Sequence, residues 1–244
     1  MKLKSLLIAA LALSLPYPAS ANLIFDSSLG GVSGSGLGTV ATILTIQSPG
    51  STSTESGSVS FNGTTDVTSN TGVLAGGAPV SFGDVKTGAS QTLTRTLGSV
   101  GITSAGQLAI VLNASEPAGN SITLTGLRLD IFNPAGTSIF NASLASSQAF
   151  ATTFTGTGNE GFVFKLDTAQ GSALNSVLAG LTASQVAALR VGLSASASEA
   201  TGGLETFNLS QITASTAVPE PATLLLLGTA LMAGAGWSYT LRRR

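Results

Sequence analysis

Alternating apolar and polar residues in the middle of the chain predict β-strands. Over residues 122–132 the alternation shifts phase at Gly126 and then resumes, which is typical of a β-bulge at a glycine. A turn signal at residues 133–136 and a second alternating run at residues 138–142 follow directly. The two runs are therefore predicted to form a hairpin.

Further strands follow from the same pattern. The pattern predicts a half-buried strand at residues 162–167 and further strands at residues 191–197 and 205–212, and Leu93 and Leu97 recur in an alternating string. Short strands separated by glycine and asparagine turns are typical of a β-sandwich. The central domain is therefore expected to be mainly β and β-sandwich-like.

One stretch has a different period. From Leu174 to Leu189 the apolar residues fall at helical spacing, and Thr182 or Ser184 can cap the second half, so one or two short helices are predicted as an insertion. Residues 30–38 and 48–70 have too few apolar side chains for core strands and are expected to be loops or weak edge strands.

The N-terminus has the features of a secretory signal peptide. Lys2 and Lys4 precede an apolar run at residues 5–15, and small residues, Ala19 and Ala21, occupy the two positions that a signal peptidase reads. The apolar run is too short to cross about 30 Å of hydrocarbon as a helix. The pattern predicts export of the chain, a signal helix in the leader and cleavage by signal peptidase after Ala21.

The C-terminus has the features of a membrane anchor. Twenty-one uncharged residues, Pro221–Leu241, lie between Glu220 and the basic residues Arg242, Arg243 and Arg244. At about 1.5 Å per residue a helix of this length reaches roughly 30 Å, enough to cross a bilayer. Because basic residues stay in the cytoplasm, the rest of the chain is expected outside.

The residues from Val218 to Thr223, followed by an apolar helix and a terminal arginine cluster, resemble the PEP-CTERM sorting signal of Gram-negative bacteria that make exopolysaccharide. The resemblance implies that exosortase, a multi-pass membrane transpeptidase, recognises the motif, cuts near it and releases or re-anchors the exported protein. It implies the following roles: Pro219, Glu220 and Pro221 as the sorting motif, Ala222 to Leu241 as the transient transmembrane anchor, and Arg242, Arg243 and Arg244 as the cytoplasmic stop charge.

Composition excludes several kinds of chemistry. The chain has no Cys and no His, which excludes disulfides, thiolate nucleophiles, a lipid-anchored lipoprotein, Ser-His-Asp hydrolysis and His-ligated zinc. Between residues 22 and 218 ten acidic residues outnumber five scattered basic ones. This balance argues against a nucleic-acid partner, because phosphate binding needs clustered Lys and Arg.

Oxygen-rich clusters give only weak candidates for a site. Asp130 with Asn133, or Asp167 with Asn159 and Glu160, have oxygen ligands suited to Ca²⁺, but their spacing matches no calcium-loop motif. Paired carboxylates for glycoside hydrolysis stay open as an alternative, although no acidic pair is adjacent in sequence and Trp and Tyr occur only near the ends of the chain. No catalytic residue, metal ligand or cofactor is predicted.

The sequence thus predicts three parts: a signal peptide (1–21), a β-rich extracytoplasmic domain (22–216) and a PEP-CTERM sorting signal with a transmembrane helix (217–244). We expect a protein exported through the inner membrane, anchored transiently, and then found at the cell surface or outside the cell. Its expected role is structural or adhesive in an exopolysaccharide or biofilm matrix, without enzyme activity, and extracellular polysaccharide is a candidate partner. The alternative is a polysaccharide-binding or carboxylate-only glycan-degrading module.

Overall fold

Twelve strands and two α-helices make up the part of the chain that the structure describes. The computed structural model describes residues 22–29, 40–48, 53–70, 84–88, 90–117, 120–151 and 160–212. The strands are β1 (Asn22–Phe25), β2 (Val40–Ile46), β3 (Thr54–Phe61), β4 (Asp66–Ser69), β5 (Arg95–Thr96), β6 (Leu108–Ala114), β7 (Ser121–Phe132), β8 (Ser138–Leu144), β9 (Gln148–Ala151), β10 (Glu160–Leu166), β11 (Arg190–Ser198) and β12 (Glu205–Gln211), and the helices are α1 (Thr168–Ala179) and α2 (Ala183–Ala188).

The described strands form one continuous hydrogen-bonded sheet. The strand order is β2-β12-β6-β10-β1-β8-β7-β11-β3-β4, with β5 paired to β11 and β9 paired to β7. All pairs are antiparallel except the short pair between β1 and β8. The sheet curls into a half-barrel, so that β2, at one edge, packs against β3, next to the other edge. The mainly-β prediction is confirmed. The described strands form one sheet and not the two stacked sheets of the predicted β-sandwich.

The hydrophobic core fills the inside of the curl. Alternate residues of each strand face inward, as Val59 of β3, Leu112 of β6 and Phe207 of β12 show, and each is almost completely buried. Burial of one such side chain contributes about 1.5–3 kcal/mol. The curl therefore has a physical reason, because it lets one sheet bury its apolar face against itself.

A short irregular segment joins the two edges of the sheet. We call residues 84–88 and 90–94 the closing segment. Against β2, the backbone N–H of Lys86 donates to the carbonyl of Thr45 (3.0 Å) and that of Leu93 donates to the carbonyl of Ile43 (3.1 Å). These bonds satisfy the outer edge of β2, which no other described strand covers.

The same segment also contacts the opposite edge. The carboxylate of Asp84 accepts a hydrogen bond from the backbone of Ser56 in β3 (2.9 Å). Asp66 of β4 accepts bonds from the backbone N–H (3.1 Å) and the hydroxyl of Thr94. Arg190 of β11 lies 3.5 Å from the Asp66 carboxylate and thus supports it. The closing segment therefore connects strands that stand at opposite ends of the strand order.

The predicted helical insertion is confirmed. Helix α1 begins after Asp167, whose side chain accepts a bond from the Gln170 backbone, and α2 begins after Thr182, which forms a capping box with Gln185. Of the two cap candidates for the second helix, the structure uses Thr182. Helix α1 starts at Thr168, earlier than the apolar periodicity indicated.

The predicted hairpin and bulge are also confirmed. Strands β7 and β8 pair antiparallel across the turn at residues 133–137. The register of β7 against β11 shifts between Gly126 and Leu124, so Thr125 is the extra residue of a β-bulge.

One sequence prediction about the N-terminal half is wrong. Residues 48–70 contain β4 as an edge strand but also β3, which lies inside the sheet between β11 and β4. The inward positions of β3 carry Glu55 and Gly57 as well as Val59. The strand therefore lacks the alternating apolar side chains by which a core strand is predicted from sequence. The alternating string 91–97 forms only the two-residue strand β5, because Leu93 is bonded to β2 within the closing segment.

The described residues all belong to one unit that ends at Ile212. The predicted signal helix, the transmembrane helix and the domain boundary at residue 216 lie outside the described residues. Among the helices that the structure describes, none is long and apolar enough to cross a membrane.

Candidate functional site

Several described acidic side chains have a structural task. Asp26 pairs with Lys165, and this bond together with the hydroxyl of Ser28 lowers the pKa of Asp26. The Glu199 carboxylate accepts bonds from hydroxyl groups of β7, at Ser121 (3.2 Å) and Thr123 (2.9 Å). These acids fix the fold through bonds that occupy their oxygens.

The candidate calcium ligands are engaged in the same way. Both oxygens of Asp130 bond to Arg128, at 2.6 and 3.1 Å, and Ser138 donates to one of them (2.8 Å). The side chain of Asn133 accepts bonds from the backbone of its own turn. Asp167 caps α1, whereas Asn159 and the side chain of Glu160 lie outside the described residues. The structure therefore does not join Asp130 and Asn133 into a cation site, and the set of Asp167, Asn159 and Glu160 lies partly outside the described residues.

Three glutamates form a different group, which the sequence reasoning missed. Glu55 is the second residue of β3, Glu205 is the first residue of β12, and Glu116 lies two residues after the end of β6. Glu55 and Glu205 are in phase with the core residues of their own strands. Glu116 is close enough for its charge to act on Glu205. We call these three residues the carboxyl cluster.

The carboxyl cluster is buried. The exposed fractions of Glu55, Glu116 and Glu205 are 4%, 3% and 0%. Buried carboxyl groups are rare unless they are hydrogen-bonded or paired, because desolvation of a charge costs several kcal/mol. The bonds of each member therefore decide which of them is ionised.

Two members accept hydrogen bonds from fixed donors. Both oxygens of Glu116 accept the backbone N–H of Thr201 at 3.0 Å, and the Thr201 hydroxyl donates to one of them at 2.9 Å. One oxygen of Glu55 accepts the backbone N–H of Ser48 at 3.0 Å. These donors satisfy both oxygens of Glu116 and one oxygen of Glu55.

No neighbouring residue provides such a donor to Glu205. Neither of its oxygens, nor the second oxygen of Glu55, meets a fixed hydrogen-bond donor among the described residues. The two carboxyl groups nevertheless lie within hydrogen-bonding reach of each other. Burial, followed by the bond to Glu55 and the charges of Glu55 and Glu116, raises the pKa of Glu205 to about 10. Glu205 is therefore protonated at neutral pH and donates to Glu55.

This arrangement does not suit glycoside hydrolysis. The catalytic carboxyl groups of glycosidases are about 5–9.5 Å apart and flank an open cleft, whereas Glu55 and Glu205 contact each other in the interior. Among the described residues, no group of three or more acidic side chains is arranged to hold a metal ion. A groove of about 340 Å³ does exist beside α1 and α2, but only apolar and uncharged polar side chains line it.

Comparison with known families gives a match at the C-terminus. The family described as the PEP-CTERM protein-sorting motif matches residues 217–244. The chain carries a PEP-CTERM sorting motif. The match confirms the family that the sequence analysis identified, and its first residue is the predicted start of the sorting signal. The comparisons with curated proteins and with solved structures found no match.

The PEP-CTERM motif supports exosortase-dependent sorting of a secreted protein that is membrane-anchored on its way to the cell surface. The individual residues predicted for this process lie outside the described residues: Ala19 and Ala21 at the signal cleavage site, Pro219, Glu220 and Pro221 in the motif, Ala222 to Leu241 in the anchor, and Arg242, Arg243 and Arg244 at the end. Their roles stay predictions.

Proposed function

We propose that the domain before the PEP-CTERM motif is a structural or adhesive protein of the cell envelope or extracellular matrix, associated with exopolysaccharide and without enzyme activity. The observation that carries the proposal is the match of the PEP-CTERM motif at residues 217–244, which supports delivery to the cell surface by exosortase. The predicted boundaries, a signal peptide at 1–21 and a domain at 22–216, belong to the same proposal.

The tasks of the acidic side chains support a non-catalytic role. Asp26, Asp66 and Asp130 are each ion-paired with a basic side chain. Glu55 and Glu205 are buried and interact with each other instead of facing a substrate. The glycan-degrading alternative needs a pair of carboxyl groups in an open cleft, and this buried pair does not fit that requirement.

Hydroxyl groups on the outer face of the sheet support an adhesive role. Thr123 of β7 stands opposite Ser198 of β11, and the Thr125 hydroxyl bonds to the Ser196 hydroxyl at 2.9 Å. These side chains are half-buried or exposed. A hydroxylated β-surface stays hydrated without charge, which suits contact with a hydrated polysaccharide.

The sorting part of the proposal is tested by replacing Glu220 with Ala and following tail processing by immunoblot. Loss of processing is expected, because Glu220 is the single charge of the motif between two prolines. The matched control is Thr216→Ala, immediately before the matched residues, which should be processed normally. Normal processing of Glu220→Ala would contradict the sorting role of that residue.

The matrix part is tested by ending the chain after Thr216. The protein should then be secreted freely, and the cells should lose surface polymer cohesion. Unchanged cohesion would argue against a matrix role. Release of reducing sugar from the producer's own polysaccharide by the purified protein would refute the absence of enzyme activity.

A further inference from the structure

We propose that Glu55 and Glu205 share one proton, and that the resulting hydrogen bond holds β3 to β12 at the end of the half-barrel where these two strands begin. Loss of the proton at alkaline pH releases this end, while the opposite end stays folded. The inference does not depend on the proposed matrix role.

The position of Glu55 and Glu205 explains how a hydrogen bond between them can hold two separate strands together. Strands β3 and β12 are not hydrogen-bonded neighbours, since β12 pairs with β2 and β6, and β3 pairs with β11 and β4. Glu205 stands opposite Ile46 at the end of β2, and Ser48, two residues later, donates its N–H to Glu55. The pair therefore joins two strands across the gap in the curled sheet, where backbone bonds between them are absent.

The chemistry of the pair requires a proton. Ionised carboxylates only accept hydrogen bonds, so two of them in contact repel each other unless one is protonated. Glu205 is completely buried and both of its oxygens lack a fixed donor among the described residues. A second buried group at this end, the hydroxyl of Ser115, also lacks a partner, and it lies beside Gly203 on the approach to Glu205. The other hydrogen bonds of the fold thus leave the oxygens of Glu205 without a donor, and a shared proton supplies the hydrogen bond between Glu205 and Glu55.

The charged groups around the pair do not replace the proton. Glu116, after β6, adds a further negative charge that acts on Glu205. Asp84 of the closing segment faces the backbone of Ser56, and Glu199 in the connection to β12 faces the hydroxyls of β7. No basic side chain contributes to the interactions of Glu205, and the described ion pairs lie elsewhere.

The consequence is a local opening with a defined pH dependence. When the end opens, both carboxyl groups reach water and the shared proton is lost above about pH 5. The closed end holds one proton more than the open end, so the opening constant rises about tenfold for each pH unit between roughly 5 and 10. Helix α1 packs at the other end of β6, near residues 105–107, and has no such group.

The test is amide hydrogen exchange of the full chain in detergent between pH 6 and 9, corrected for the intrinsic exchange rate. Peptides from the starts of β3 and β12 are expected to lose protection about tenfold per pH unit, whereas peptides from α1 keep theirs. In Glu205→Gln the amide donates to Glu55 without titrating, so the slope at β3 and β12 should vanish. Glu199→Gln, an exposed acid in the adjoining loop, is the matched control and should keep the wild-type slope.

Glu55→Gln serves as a second variant if Glu205→Gln fails to fold. Its amide can donate to an ionised Glu205, so the slope at β3 and β12 should be smaller than in the wild type although burial of Glu205 remains. A flat profile in the wild-type chain would overturn the proposal. A rise in amide protection on addition of CaCl₂ in the wild type, but not in Glu205→Gln, would also overturn the proposal. That result would show that the pair binds a divalent cation.

Discussion

Replacing Gly57 by Ala tests whether the half-barrel closes around a position that has no room for a side chain. Gly57 faces inward on β3, where β2 and the closing segment meet it. A Cβ at this position would lie 2.4 Å from a methyl carbon of Val85 and 2.7 Å from a methyl carbon of Ile46. Non-bonded carbon atoms normally stand about 3.5–4.0 Å apart. The substitution therefore forces the two edges of the sheet apart.

The magnitude follows from two opposing effects. Overpacking of a well-packed core costs about 1–3 kcal/mol, and here the contacting methyl groups belong to β-branched side chains that are stiff at χ1. Loss of glycine's freedom in the unfolded chain returns about 0.4–1 kcal/mol. We expect a net loss of about 1–2 kcal/mol in the free energy of unfolding, and a midpoint lowered by about 2–8 °C for a domain of this size.

Thermal and urea unfolding followed by far-UV circular dichroism measure this change. Trp237 is the only tryptophan of the chain and lies outside the described residues, so fluorescence would not report on the sheet. Gly171→Ala is the matched control: its Cβ would meet nothing within 4 Å, and it lies in α1, where alanine is favoured by about 0.5–1 kcal/mol.

Combining Gly57→Ala with Val85→Ala removes the tightest contact, so the double variant should lose less than the sum of the two single losses. If Gly57→Ala is as stable as the wild type while Gly171→Ala behaves as expected, the tight closure at β3 is refuted.

Three further outcomes are expected. Glu205 keeps its proton in the folded protein to about pH 10 but loses it near pH 4.5 in the unfolded chain. The free energy of unfolding should therefore fall by up to about 1.4 kcal/mol per pH unit between these two values. Urea unfolding at pH 6–9 should show this slope in the wild type and a flatter slope in Glu205→Gln. Asp66→Ala removes the carboxylate that accepts two hydrogen bonds from Thr94 in the closing segment. The urea midpoint should fall by an amount equivalent to about 1–3 kcal/mol of unfolding free energy. An unchanged midpoint would argue against closure by this segment. Asp167→Ala removes the cap of α1 and should cost about 1 kcal/mol, whereas Asp167→Asn should retain most of the stability.

Local patterns predicted those elements whose side chains carry their own signal. The β7–β8 hairpin has alternating large apolar residues and a glycine at the bulge, and both features appear in the structure as expected. The helices were predictable from helical spacing and from the cap at Thr182. The family of the sorting motif was predictable from a short contiguous string.

Elements defined by distant contacts were not predictable. Strand β3 is rich in Ser and Gly, and its inward position depends on pairing with β11, more than a hundred residues later. The carboxyl cluster is missed for the same reason, since Glu55, Glu116 and Glu205 are far apart in sequence. The only local signal is that Glu55 and Glu205 occupy core-facing phases of their strands, and a polar residue in that phase normally argues against a strand.

The strand pairing at the edges of the sheet sets the order in which an exported chain can fold. Val40 of β2 pairs with Ser210, and Thr54 of β3 pairs with Ser198, so strands from the first third of the chain find their partners in the last third. Such distant pairings slow folding, and unpaired strands are prone to aggregate while they wait. The yield of native protein outside the membrane therefore depends on how long the early strands stay soluble before residues 190–211 arrive.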